Sequence, residues 1–275
     1  MKTSKKKSYI INYNLKNEQI ADLIVTDKCN LNCPFCIASY MLNIDKKVLD
    51  IKTLQDFVLP LLKEKNITHV GISGGEPTAN KYLVEICKLL YKNGYQLNIA
   101  SNGYDIDILS KCSKYINYVS LSLNAFNADR INEINNKLYC QLRVHGLIYK
   151  NHYDNLESIK TLRSKLDESI TLDFSTLRTT NEWTKGCKNK AIIGSNTFTE
   201  QNKVDENLLL DYGIKRETKN GVIVRITHEK GDIDIILRDL SVKFFGEPTD
   251  RQLIITYNKE YFYGFNDLIN KYIKE

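Results

Sequence analysis

Ala21-Asp-Leu-Ile-Val-Thr26 runs into Cys29-Asn-Leu-Asn-Cys33-Pro-Phe-Cys36, an apolar strand-like stretch followed by three thiols on one loop. Thiols this close in sequence can reach one inorganic centre, and no other cysteine lies near them. Three ligands are one short of a closed zinc site, and they leave one metal position open if the centre is an iron–sulfur cluster. Asp27 or a partner could complete a zinc set, so the residues alone leave both centres open. Pro34 restrains the loop through its fixed φ and missing N–H.

Strands and helices alternate outward from this loop. Asp50 is placed to cap a helix over residues 51–65, whose Leu54, Phe57, Val58, Leu61 and Leu62 recur at the helical period. Residues 67–72 read as a β-branched strand that enters Ser73-Gly74-Gly75-Glu76-Pro77. The two glycines permit a tight turn and close approach of a ligand, and Glu76 can accept hydrogen bonds from an ammonium group. A helix over 82–91 with Gly94 at its C-cap leads to a strand over 95–100 that ends in Ser101-Asn102-Gly103. A strand over 118–124 puts Ser120, Ser122 and Asn124 on one face, and one over 142–148 puts Arg143 and His145 on one face. The strand over 170–177 carries Asp173 and Ser175 on a shared face, with Arg178 at its C-terminal end. Short helices over 129–138 and 155–166 fill the intervals. This order predicts an α/β fold, a partial (β/α)6 barrel over residues 20–180.

Cys29-x3-Cys33-x2-Cys36, with Phe35 before the last cysteine, resembles the signature of the radical S-adenosylmethionine (SAM) superfamily, and the Gly74-Gly75-Glu76-Pro77 and Ser101-Asn102-Gly103 stretches strengthen the likeness. The resemblance implies that Cys29, Cys33 and Cys36 ligate one four-iron four-sulfur cluster whose fourth iron is chelated by SAM. It further implies SAM contacts for Phe35, Gly74, Gly75, Glu76, Ser101, Asn102, Ser122, Asn124 and Arg143. Arg143 has an alternative reading as a structural salt bridge. His145, Asp173 and Arg178 are candidates for substrate orientation or proton handling. Many relatives carry an acidic residue where this chain has Asn124, which weakens any transfer of substrate chemistry.

The chain has 275 residues, 39 Lys and Arg against 33 Asp and Glu, and a formal net charge of +6. Lys2, Lys5, Lys6 and Lys7 supply much of that excess, which reads as a solvated tail, an N-terminal extension over 1–19. No apolar run reaches bilayer length and no secretion-signal core follows the basic start, so a cytoplasmic protein is expected. Seven cysteines, three of them clustered, argue against a disulfide framework.

After Arg178 the pattern changes, and residues 181–275 are expected to form a substrate-covering α+β region. Two strand pairs, 222–227 with 233–237 and 253–257 with 261–263, are expected to form one small antiparallel sheet, closed by a helix over 266–273. Only Cys187 follows Cys140, so a second, auxiliary cluster is not expected. Arg225, Arg238, Lys243 and Arg251 could meet a phosphate or carboxylate. The leading expectation is a nucleotide-like small-molecule substrate. The alternatives are a ribosomally made peptide, activation of a glycyl-radical enzyme, or a non-catalytic iron–sulfur or zinc-binding interaction protein. A reduced flavodoxin or ferredoxin-like donor would supply electrons, and no basic and aromatic interleaving marks a nucleic-acid site.

Overall fold

The computed structural model describes residues 19–36, 38–123, 126–177, 198–218, 221–239, 253–264, 267–268 and 271. Six strands lie parallel and side by side in chain order: β1 (Ile20–Ile24), β2 (His69–Ser73), β3 (Gln96–Ser101), β4 (Tyr118–Ser122), β5 (Gln141–Ile148) and β6 (Thr171–Thr176). Helices fill every interval, as parallel neighbours require a crossover. These are α1 (Ile51–Thr53) and α2 (Leu59–Glu64), then α3 (Leu83–Lys92), α4 (Ile106–Cys112), α5 (Ala128–Lys137) and α6 (Leu156–Lys165). Asp50, Asp105, Asn127 and Asn155 each cap a helix by accepting a backbone N–H from its first turn. The wide turn Leu54–Val58 joins α1 to α2, with the Leu59 N–H bonded to the Leu54 carbonyl. Pro60 accounts for it, since its ring would crowd the carbonyl four residues back and it has no N–H to donate.

The central strands β3, β4 and β5 alternate strictly between buried and more exposed residues, and this decides what the two faces do. Val70 and Ile72, Leu97 and Ile99, Val119 and Leu121, and Leu142 and Val144 are buried beneath the helices. The other, concave face is polar: Asn98, Ser120, Ser122, Gln141, Arg143 and His145 remain partly exposed on it. Parallel sheets covered on both faces read as continuous apolar runs. The alternation in β4 and β5 therefore marks a sheet with one wet face. Gly146 belongs to the packed side, where a Cβ would lie 2.5 Å from the Phe174 ring.

The last third forms its strands but not the expected small sheet. β8 (Gly221–Ile226) and β9 (Ile233–Leu237) pair antiparallel, as do β10 (Leu253–Thr256) and β11 (Tyr261–Tyr263), yet the two pairs never meet. Instead β9 docks parallel on β6 and β10 docks parallel on β1, giving one sheet in the order β11-β10-β1-β2-β3-β4-β5-β6-β9-β8 followed by the outermost strand Ile214–Thr218 (β7). The reason is the open edges of a six-stranded array, whose unpaired N–H and C=O groups on β1 and β6 each accept a neighbour. β7 (Ile214–Thr218), which the charged run Ile-Lys-Arg-Glu-Thr does not betray as a strand, pairs outside β8. Glu206–Leu209 forms the short helix α7. Most of residues 266–273, and all of 1–18, fall outside the described residues. No described helix is long and apolar enough to cross a membrane.

Gly146→Ala tests the packed face. The added methyl meets a fully buried ring, so an overpacking cost of about 1–3 kcal/mol is expected as a lower urea midpoint, whereas Gly94→Ala, with open space around its Cβ position but a φ of +88°, changes backbone strain alone.

Candidate active site

The cysteine loop leaves the C-terminal end of β1 and is pinned on both sides. Thr26 Oγ1 donates to the Lys47 carbonyl at 2.6 Å and accepts the Lys28 N–H at 3.1 Å. Asp27 is fully buried, and its Oδ2 accepts the N–H groups of Asp45 and Lys46 at 2.8 and 2.9 Å. Its Oδ1 is buried without a hydrogen-bond partner, and among the described residues no group of three His, Cys, Asp or Glu side chains that could hold an ion includes it. The Asn43 side chain, on a residue at φ +56°, accepts from the Cys29 N–H at 3.1 Å and donates to its carbonyl at 3.3 Å.

Cys29, Cys33 and Cys36 are half-buried, and none of the described cysteines forms a disulfide. Burial pushes all three thiols up, Cys36 to about 11, and neighbouring cysteine charge adds to this at Cys33 and Cys36. Three half-buried sulfur donors near enough to repel one another are a set that a cationic metal centre would stabilise. Among the described residues, no three His, Cys, Asp or Glu side chains converge on a single ion position. Cys87, Cys112 and Cys140 are buried in the core, as expected of small apolar side chains.

Gly74 and Gly75 bring the end of β2 against this loop. A Cβ on Gly74 would stand 2.3 Å from the Thr26 carbonyl oxygen, and one on Gly75 would stand 2.3 Å from that of Lys28. The Gly75 N–H donates to Thr26 and the Glu76 N–H to Lys28, at 2.8 and 2.7 Å. What approaches the glycines closely is thus the cysteine loop's own backbone, where the sequence suggested a ligand. Glu76 is 1% exposed. Its Oε1 accepts from the Thr78 N–H, Thr78 Oγ1 and Ser101 Oγ at 3.1, 2.7 and 2.7 Å, and its Oε2 accepts the Asn102 N–H at 2.7 Å. Glu76 therefore ties β2 to β3, and Oε2, with one donor of its own, keeps acceptor capacity. The Asn102 amide donates to Asn30 Oδ1 at 2.9 Å, and both line an open cleft of about 490 Å³ with Gly103, Asp105 and Arg130.

On the concave face the register sets Ser122, His145, Asp173 and Asp234 side by side across β4, β5, β6 and β9. Arg143 grips Asp173 with two nitrogens, Nε to Oδ2 and Nη2 to Oδ1, the latter at 2.9 Å. This geometry matches the salt-bridge reading of Arg143. His145 Nδ1 meets Asp173 Oδ1, and Ser175 Oγ lies 3.2 Å from His145 Nε2. Burial alone would push the Asp173 carboxyl up. The His145 hydrogen bond and the Arg143 charge outweigh burial and hold it below its ordinary value. Asp234 is gripped likewise by Arg225, Nε and Nη2 each at 2.6 Å, so Arg225 serves the sheet. Asn124, Arg178, Lys243, Arg251 and Cys187 lie outside the described residues.

Phe35 is half-buried within a group that sequence reading missed. Its ring centroid is 6.2 Å from Tyr149 and 6.1 Å from Phe198, and Tyr149 stacks on His152 at 4.5 Å. Tyr149 and His152 follow β5 directly and could have been suspected there. Phe198 carries no local signal.

The radical SAM superfamily profile matches residues 23–182. Curated relatives include the GTP 3',8-cyclase of Saccharophagus degradans, 29% identical over 118 residues, which are 41% of this chain and 35% of that protein. A PqqA peptide cyclase of a Methylobacterium species is 33% identical over 121 residues, 41% of this chain and 31% of that protein. The chain thus spans about a third of the length of these relatives. The crystal structure of Streptococcus suis SuiB bound to S-adenosylmethionine superposes with a TM-score of 0.52 at 15% identity, over 87% of this chain and 56% of that one, and supports the fold. With its cysteine loop, its parallel array and a profile match over more than half its length, the chain belongs to the radical SAM superfamily.

Proposed function

We propose that the chain is a radical SAM enzyme, holding a four-iron four-sulfur cluster on Cys29, Cys33 and Cys36 and SAM against the ends of β2, β3 and β4. The observation that supports this best is the loop itself, three half-buried thiols on a loop whose entry, at Thr26 and Lys28, accepts backbone hydrogen bonds from Gly75 and Glu76. Cys29, Cys33 and Cys36 would hold such a cluster, which, once reduced, would supply the electron for reductive cleavage of SAM to methionine and a 5′-deoxyadenosyl radical able to take a hydrogen atom from an unactivated carbon.

The chain's own residues bind, orient and exclude water. Glu76 offers the remaining acceptor capacity of Oε2 to an ammonium group, with Ser101 and Asn102 held beside it. Ser122, and Asn124 by resemblance, extend that contact. Arg143 and Asp173 preorganise His145. With Asp173 ionised, the His145 Nδ1–H donates to it, and the Ser175 hydroxyl lies within hydrogen-bond distance of Nε2. His145 is then poised at the concave face to take up or return a proton, and a reduced flavodoxin or ferredoxin-like protein supplies the electrons.

For the substrate we favour a ribosomally made peptide. PqqA peptide cyclases recur among the relatives, and that of Methylobacterium nodulans aligns over 168 residues, 54% of this chain, at 28% identity. A nucleotide is the second reading, favoured by the GTP 3',8-cyclases and by a SAM-dependent nucleotide dehydratase from a Thermoplasmatales archaeon.

Two measurements test this. Anaerobically reconstituted and reduced protein should convert SAM to 5′-deoxyadenosine, Cys33→Ser should abolish the conversion, and a peptide pool should stimulate it more than a nucleotide pool. No cleavage by protein with a verified reduced cluster would count against the reading. For the concave network, the depressed Asp173 carboxyl contributes stability that is fully present above the unfolded value of about 3.9 and lost as pH falls through the lower folded value. The urea-stability gap between wild type and Asp173→Asn should therefore be wide at neutral pH and narrow progressively in acid. A gap of constant size would show that the carboxylate charge is not what the network stabilises.

A further inference from the structure

We infer that Tyr149, together with Phe35, His152 and Phe198, forms an aromatic shell beside the cluster site and sets how far water and oxygen reach it. This rests on the reading of the three cysteines as cluster ligands.

The rings come from three separate parts of the chain. Phe35 lies between Cys33 and Cys36, Tyr149 and His152 come from the turn after β5, and Phe198 precedes the turn Glu200–Asn202. They nevertheless make a continuous surface. Tyr149 meets Phe35 at 6.2 Å, Phe198 edge-on at 5.0 Å and His152 face-on at 4.5 Å, and Phe198 closes the triangle on Phe35 at 6.1 Å.

The turn that presents them is built with care. Tyr149 and His152 exchange backbone hydrogen bonds at 3.2 and 2.8 Å, and the Lys150 N–H donates to the Asn202 carbonyl at 2.9 Å, stapling the turn to the segment that carries Phe198. Asn151 stands at φ +64° and Tyr153 at φ +52°. The left-handed region is costly for an aromatic residue, and such positions persist only where the surroundings enforce them. Here the Asp154 carboxylate accepts the Asn151 N–H at 2.7 Å, and the Tyr153 ring packs on Phe174 at 5.3 Å.

Ordinary core packing would bury these rings, as it does the Phe174 ring beneath Tyr153. Phe35, Tyr149, His152 and Phe198 are all only partly buried. Phe35, between Cys33 and Cys36 in the chain, joins this rim to the cysteine loop. An apolar rim lowers the local dielectric and limits solvent access, and both terms act on a cluster's potential, because reduction adds negative charge that water would stabilise.

The test compares wild type, Tyr149→Ala, Phe198→Ala and Tyr149→Phe after anaerobic reconstitution. Iron and sulfide per chain are counted, the midpoint potential is taken from an EPR-monitored redox titration, and cluster absorbance is followed in air. Tyr149→Ala and Phe198→Ala should load iron as wild type does, lose the cluster severalfold faster in air and show a more positive potential. Tyr149→Phe should match wild type, since the ring is what shields. Wild-type decay and potential in both alanine variants would overturn the shell, as would a Tyr149→Phe variant as labile as Tyr149→Ala. If Tyr149→Ala does not fold, Phe198→Ala decides from a different segment. Failure of wild type to take up iron at all would instead refute the cluster reading, a result separable from a difference among loaded variants.

Discussion

The structure depends on a backbone contact that only glycine permits. Where β1 and β2 end, Gly74 and Gly75 lie so close to the carbonyls of Thr26 and Lys28 that any Cβ would overlap them. The hydrogen bonds from Gly75 and Glu76 close that contact, and they carry the ladder of β1 and β2 beyond the strands into the cysteine loop. Position follows from it. The loop is registered against β2, the Glu76 carboxylate is driven into the buried space between β2 and β3, and Ser101 and Asn102 are gathered around it. A carboxylate 1% exposed without donors would be costly. Four donors make it a fixed reference point.

Below this rim the sheet separates its functions by face. The convex side is apolar and close-packed, tight enough that Gly146 makes room for Phe174. The concave side carries charges in pairs. Asp173 and Asp234 are like charges in register on adjacent parallel strands, an arrangement that would repel. Each is neutralised by its own arginine, Arg143 on one side and Arg225 on the other. The concave face can thus hold a dense polar row without a large field of one sign, which suits a site that must orient polar groups rather than merely attract a charge.

Much of this was legible in the residues. The cysteine spacing, the glycines at a strand end, the Asp and Asn caps and the alternation in β4 and β5 are local signals, and the six parallel strands follow from them. Partnerships made by register were not legible. Nothing in β5 says whether Arg143 will face a ligand or a carboxylate, because the answer lies on β6, thirty residues on. The fate of the last third was hidden for the same reason. The strand pairs announce themselves, but which edge each will join is set by unpaired groups on β1 and β6. β7 was hidden because it is an outermost strand, charged and exposed, with no buried face to impose a period of two. The aromatic rim was missed because Phe198 and Phe35 are distant in sequence.

The docking of β10 on β1 also bears on how the protein comes into being. Ala21 has Leu253 as its neighbour on one side and Val70 on the other, so the strand that presents the thiols is assembled from segments far apart in sequence. During synthesis β1 gains β2 early, and its second edge stays unpaired until residues 253–256 have left the ribosome. Contacts this far apart in sequence form slowly. The cysteine loop therefore leaves the ribosome on a half-paired strand, and β1 gains its second neighbour only after residues 253–256 have been made.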